Sequence, residues 1–147
     1  YDAARVIEAT RAIVPKTRTF GLIGSLEYAV RGGRVPRWVK NTADRLRLMP
    51  VLHATRDGRV TAGGVLFGRE RLKEKFARFI RRRMRGDVPY RLLVGHANCE
   101  ADGQWLLDAL TTDNVVYGRL LPCGTAFGVH GGPGLLVVAF QEYEPPR

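Results

Sequence analysis

The residues of this chain best suited to chemistry are three histidines, two cysteines and several arginine clusters. His130 sits in Gly128-Val129-His130-Gly131-Gly132-Pro133-Gly134, just before the apolar run Leu135 to Phe140. Clustered glycines permit backbone geometry that a Cβ would block, and Pro133 fixes one φ and removes a donor. As a rigid turn, this stretch can bring backbone amides and an imidazole close to a ligand. The competing reading is a tight connection into a buried strand that carries an incidental histidine. His96 and Cys99 form a second pair, suited to a thiol nucleophile with a base, or simply to a buried thiol at a strand end. The histidines lack the i, i+4 spacing of a helical zinc site, and Cys99 and Cys123 fit no paired ligand spacing, so no metal and no cofactor is expected. P-loop, G-x-S-x-G and dinucleotide-binding patterns do not occur, and no catalytic residue is assigned.

Two arginine groups stand out. Arg31-Gly32-Gly33-Arg34 places charge on a sharp turn at a helix end, either as a binding feature or as a C-cap with cations near the negative end of the helix dipole. Residues 68–85 hold 9 Lys/Arg against 2 Asp/Glu, including Arg69, Arg71, Arg78, Arg81, Arg82, Arg83 and Arg85. Such a ridge attracts nucleic acid, an anionic membrane or an acidic protein surface. No aromatics interleave with these charges, because Phe76 and Phe79 share the apolar stripe of Leu72 and Ile80, so a solvated helix face is favoured over a nucleic-acid contact.

The elements that position these residues follow from periodicity. Residues 1–14 read as an amphipathic helix with Val6, Ile7, Ile13 and Val14 near helical spacing, ended by Pro15. A strand follows over 17–23. A short helix over 26–30 has Ser25 as N-cap and Gly32-Gly33 as its stop. Pro36 suits the first turn of a third helix whose Trp38, Val39 and Leu46 face inward. The arms 49–56 and 59–67 flank a two-residue Asp57-Gly58 hairpin turn, and Gly63-Gly64 suggests a bulge or a close approach. A basic helix over 68–85 precedes a strand over 90–96, a helix over 100–110 carrying Trp105, Leu106, Leu107 and Leu110, a strand over 115–121, the glycine loop and a last strand. The expected architecture is α/β or α+β, with a mixed sheet of five or six strands packed by helices.

At 147 residues with 45% hydrophobic content, the chain is large enough for one domain with a substantial core. No apolar run is long enough to span a bilayer, and no leader pattern is present. Two isolated thiols make no disulfide framework, so a cytoplasmic setting is expected. The first residue is not a methionine, which suggests a piece of a longer protein.

With these residues in view, the chain resembles the C-terminal domain of the DegV family of fatty-acid-binding proteins, which includes the acyl-binding subunits of bacterial fatty acid kinase. Ser25-Leu26-Glu27-Tyr28-Ala29-Val30-Arg31-Gly32-Gly33-Arg34-Val35 is similar to the family's L-E-Y-L-x-x-G-G-R-I segment. Met49-Pro50-Val51-Leu52 followed by Asp57-Gly58 is similar to its K-P-I-L…D-G hairpin, and Val129-His130-Gly131-Gly132-Pro133-Gly134 to its H-x-G-P-G loop. The resemblance implies half of a two-domain protein whose N-terminal domain lies outside this chain. It also implies a long-chain fatty acid as ligand, its carboxylate held by His130 with Gly131 and Gly132, and no catalytic activity of the carrier's own. In kinase-linked members a separate kinase phosphorylates the bound carboxylate, and Arg34 and Arg69 become candidate contacts with that kinase or with the new phosphate. The chain departs from the family in carrying Val65-Leu66-Phe67, where basic residues are frequent, just before the long helix. Two rival functions remain: a basic adaptor using the 69–85 arginines, and a hydrolase centred on His96 and Cys99.

Overall fold

The computed structural model describes residues 2–144; Tyr1, the first residue of the expected opening helix, lies outside them. Helix α1 (Ala3–Ile13) starts where Asp2 accepts the Arg5 N–H at 2.9 Å, and stops in a 3-10 turn over Val14–Lys16 that contains Pro15. Its apolar residues Val6, Ile7, Ile13 and Val14 are all exposed. Strand β1 (Thr17–Leu22) leads to α2 (Leu26–Arg31), which Ser25 caps by accepting from the Glu27 N–H and which ends at Gly32 and the positive-φ Gly33.

Helix α3 (Arg37–Arg45) has Pro36 at its N-cap rather than inside its first turn. The expected inward face is wrong for Trp38, which is 70% exposed, and for the exposed Leu46. In α3 the inward stripe runs through half-buried Val39 and buried Ala43, one helical turn apart. Trp38 lies one residue off that stripe, and Leu46 falls beyond the last turn as the C-cap.

Strands β2 (Leu48–Ala54) and β3 (Val60–Phe67) form the expected hairpin, with a different turn. The Gly58 N–H donates to Thr55 O at 3.0 Å and the Thr55 N–H to Arg59 O at 2.8 Å. The loop is therefore Arg56-Asp57-Gly58, and only Gly58 needs a positive φ, +81°. Gly63 is the extra residue of a bulge, because Val51 pairs with Gly64 while Leu52 pairs with Ala62. Close approach is also present: a Cβ on Gly64 would lie 2.5 Å from the Phe79 ring.

Helix α4 (Leu72–Arg81) is shorter than its charge pattern suggested, since positive-φ Gly68 and Arg71 make the preceding residues a turn. Strand β4 (Tyr90–His96), α5 (Glu100–Leu110) and β5 (Val115–Pro122) follow as expected. The glycine stretch is not a loop throughout, because Thr125–Gly131 form a short helix, α6, that leads through Gly132-Pro133-Gly134 into β6 (Leu136–Glu142).

The six strands form one mixed sheet in the order β3-β2-β1-β6-β4-β5, antiparallel except for β4 and β5, which α5 connects as a parallel pair. Cross-strand partners share a face, so Leu92, Val94, Phe140, Val138, Phe20, Leu22, Val51 and Leu66 line one side. Helices α4 and α5 cover that side: Phe79 packs edge-on against Phe20, and Gly103 lies against His96. Phe76, Ile80, Leu106 and Leu110 of these helices are fully buried there. The other face carries Leu121, Gly95, Val137, Gly21 and Leu52 in one row across the sheet, with Leu93 and Ala139 in the next. No helix among the described residues is long and apolar enough to cross a membrane.

Candidate functional site

Chain direction places the end of β1 and the starts of β2 and β6 at one end of the sheet, so α2, α3 and α6 gather there. Helix α6 packs on α2, and two glycines allow the approach. Gly132, at φ +72°, lies beneath Tyr28, and a Cβ there would sit 2.2 Å from the Tyr28 ring. Gly32 lies beneath His130, and a Cβ on it would come within 2.3 Å of His130 Nδ1. The contact is reciprocal: each helix contributes one ring and one glycine to it.

His130 is half-buried in the last turn of α6. Its Nδ1 is shut off from solvent against Gly32 with no hydrogen-bond partner, and its Nε2 has no partner among the described residues. An imidazole held in this way has an unspent hydrogen-bonding edge for a ligand. The backbone amides are less free than the sequence suggested. Gly132 N–H donates to Gly128 O at 2.8 Å, and Gly134 N–H to Ala97 O at 2.8 Å. Gly131 is buried, and a Cβ there would sit 2.7 Å from Leu135 Cδ2. Gly131 and Gly132 thus permit close packing around His130.

Arg34 joins the same neighbourhood, its Nη1 donating to Gly32 O at 3.0 Å while the side chain stays exposed. Arg69 does not lie free. It ends a chain of charges that the sequence did not reveal: Arg31 bonds Glu27 at 3.2 Å, Lys40 lies 3.6 Å from Glu27 and 2.8 Å from Asp44, and Arg69 pairs with Asp44. These pairs tie α2 to α3 and to the turn before α4. Hydrogen bonding from Arg31 holds the Glu27 carboxyl below its ordinary range, and Lys40 first, with Arg69, does the same for Asp44.

The row of Leu52, Gly21, Val137, Gly95 and Leu121 begins one residue from this end of the sheet. Leu52, Val137 and Leu121 are half-buried, and Leu93 in the next row is 37% exposed. Gly21 and Gly95 between them are buried, and Cys123 Sγ lies over Gly95, 2.9 Å from where its Cβ would be. Alternation within each strand was the available signal for this face, but periodicity alone did not give the strand order that aligns the row.

The other candidate residues are engaged differently. Cys99 donates to Leu135 O at 3.4 Å, and burial above all pushes its thiol pKa up, which keeps it protonated and disfavours a nucleophile. His96 is buried under α5. In the basic segment, Arg81 donates to Ala109 O at the end of α5, Arg83 to Phe79 O at 2.9 Å, and Arg85 to Asp87 at 2.7 Å. Of these, Arg81 ties α4 to α5, while the contacts of Arg83 and Arg85 are local.

The chain thus forms a mixed sheet with helices α4 and α5 on one face and the α2–α6 contact at one end. The chain belongs to the DegV family: the family model described as "Uncharacterised protein, DegV family" matches residues 2–142. It is 31% identical over 139 residues to a DegV domain-containing protein of Clostridium perfringens, a match covering 93% of this chain and 49% of that protein. The chain spans about half the length of the curated relatives it matches. Its fold is that of a fatty-acid-binding DegV family protein from Streptococcus agalactiae, with a TM-score of 0.75 and 17% identity over 97% of this chain and 50% of that one. A DegV family protein from Eubacterium eligens, loaded with heptadecanoic acid, superposes with a TM-score of 0.75 at 19% identity, covering 97% of this chain and 51% of that structure.

Proposed function

We propose that this chain is the C-terminal half of a fatty-acid carrier, in which His130 contacts the carboxylate and the open sheet face receives the acyl chain. The observation that carries this reading is His130 itself, set against Gly32 in the α2–α6 contact and without a partner on its ring nitrogens among the described residues. Membership of a family whose solved members include fatty-acid-binding proteins supports it. In energetic terms the histidine orients and the hydrocarbon binds. Each buried methylene supplies about 0.8 kcal/mol, so a chain of a dozen or more outweighs a single carboxylate contact. Gly131 and Gly132 contribute by letting the chain pack closely beside the ring.

A second domain, N-terminal to this one in the full-length protein, would close over the open face and the exposed apolar residues of α1. The carrier performs no chemistry in this reading. It presents the carboxylate to a separate kinase, whose ATP and metal supply the phosphoryl chemistry, and Arg34 meets that kinase or the acyl phosphate beside His130. Arg69, held by Asp44, is the secondary contact.

The reading is tested by measuring binding of a long-chain fatty acid, its methyl ester and the corresponding alcohol to the full-length protein and to His130→Gln. The acid is expected to bind about ten-fold more tightly than the ester, an advantage that shrinks in the variant because a charge-assisted hydrogen bond is lost. Equal affinity for acid and ester in the unmutated protein would remove His130 from the carboxylate site.

A further inference from the structure

The opposite end of the sheet holds a pocket lined largely by cations. Strand β1 separates the two ends by its six residues, about 20 Å at the usual rise per residue. A pocket of about 70 Å³ lies there, between the sheet and the turn that follows α4. Lys16, Arg18, Arg83 and Arg85 line it, Tyr90 and Phe140 form its apolar floor, and Glu142 is the one carboxylate in its wall.

Two of the four cations are already neutralised. Lys16 pairs with Glu144 at 2.8 Å, and Arg85 with Asp87 at 2.7 Å. Arg18 and Arg83 make no ion pair among the described residues. The Arg83 guanidinium sits over the Phe79 ring, its Cζ 3.4 Å from the ring centroid, with one N–H spent on Phe79 O. Burial, and secondarily the charge of Arg18, pull the Arg83 pKa down, which marks two like charges held close in a partly dry place. Tyr90 is 2% exposed; its hydroxyl accepts from the Arg85 N–H at 3.0 Å and has no acceptor for its own proton among the described residues.

We propose that this pocket binds an oxyanion of the phosphate class, either free phosphate or the phosphate of a lipid headgroup, between Arg18 and Arg83. Guanidinium groups suit such an anion because their planar N–H forks match its oxygens, and the space holds one small oxyanion or a few waters. The Tyr90 hydroxyl supplies a further donor. Glu142 acts as the built-in competitor, since its carboxylate faces the same cations. The site is independent of the fatty-acid reading, because it shares no residue with the His130 end.

The test uses inorganic phosphate titrated into the chain at constant ionic strength, followed by ³¹P line broadening and thermal unfolding. Wild type is expected to saturate, whereas Arg83→Gln and Arg18→Gln bind about ten-fold more weakly, the loss expected for one charge-assisted contact. Glu142→Gln should bind more tightly. Arg78→Gln, which removes an exposed arginine of α4 outside the pocket, should match wild type. Because Arg83 packs on Phe79, the exposed Arg18 variant keeps the test valid if Arg83→Gln folds poorly. Sedimentation with phosphatidylglycerol vesicles, competed by free phosphate and lost in Arg18→Gln, would assign the headgroup as a source. Saturation by phosphate without vesicle binding would assign the soluble ion. Phosphate binding equal in wild type, Arg18→Gln and Arg83→Gln, or no saturable binding of either probe, would overturn the proposal.

Discussion

At the scale of single residues, the contact between Gly32 and His130 makes the sharpest claim. Gly32 has a φ of −78°, which alanine tolerates, so Gly32→Ala carries no backbone strain. Its new methyl would nonetheless stand 2.3 Å from His130 Nδ1, and the ring must turn away. The variant is expected to fold, to shift the His130 imidazole resonances, and to weaken fatty-acid retention about as much as loss of the histidine, roughly ten-fold. Unmoved imidazole resonances would show that Gly32 does not place the ring. Gly132→Ala should behave differently. It meets both a positive φ and the Tyr28 ring, and is expected to cost about 2–4 kcal/mol of stability, read as a lowered denaturation midpoint. The sequence singled out His130 and both glycine pairs but not their partnership, because the two segments lie near opposite ends of the chain and meet only through the fold.

At the scale of elements, the chain of charges from Arg31 to Asp44 and Arg69 fixes α3 against α2. The folded pKa values of Glu27 and Asp44 lie below their unfolded ones, so the pairs contribute stability above about pH 4 that is lost as pH falls through the depressed values. Asp44→Asn should flatten the acid limb of the stability profile in low salt, and added salt should do the same to wild type, since these groups remain partly exposed. An acid limb of unchanged slope in Asp44→Asn would detach the network from α3. The hairpin makes a complementary prediction: a Cβ on Gly64 would meet Phe79 beneath it, so Gly64→Ala should destabilise by about 1–3 kcal/mol through overpacking, measured by denaturant unfolding. The strands and α5 were legible because their alternation and helical stripes are long. Helix α6 was not, because glycines at 128 and 131 have low helix propensity, and the helix is stabilised by packing on α2. Trp38 misled for a related reason, as an aromatic in a short basic helix carries no signal for which face is covered.

At the scale of the whole molecule, the sheet is finished on one side only. Helices α4 and α5 bury Leu92, Val94, Val138 and Phe20, while the face bearing Leu52, Val137 and Leu93 and the apolar stripe of α1 remain accessible. Fold class and strand content followed from sequence pattern, but the single-sided cover required the order β3-β2-β1-β6-β4-β5, which depends on pairings between distant segments. Net charge was similarly incomplete as a guide: the ridge of residues 68–85 reads as one basic surface, yet its members divide between helix anchoring and a pocket at the far end of the sheet. In the proposed function, this domain offers a carboxylate contact and an apolar wall to a ligand that a second domain would enclose. The most direct test is solvent extraction and mass spectrometry of the full-length protein purified from cells, beside His130→Ala. A long-chain fatty acid near one per protein, falling several-fold in the variant as a lost charge-assisted contact requires, is the predicted result; no fatty acid above background in the unmutated protein would contradict it.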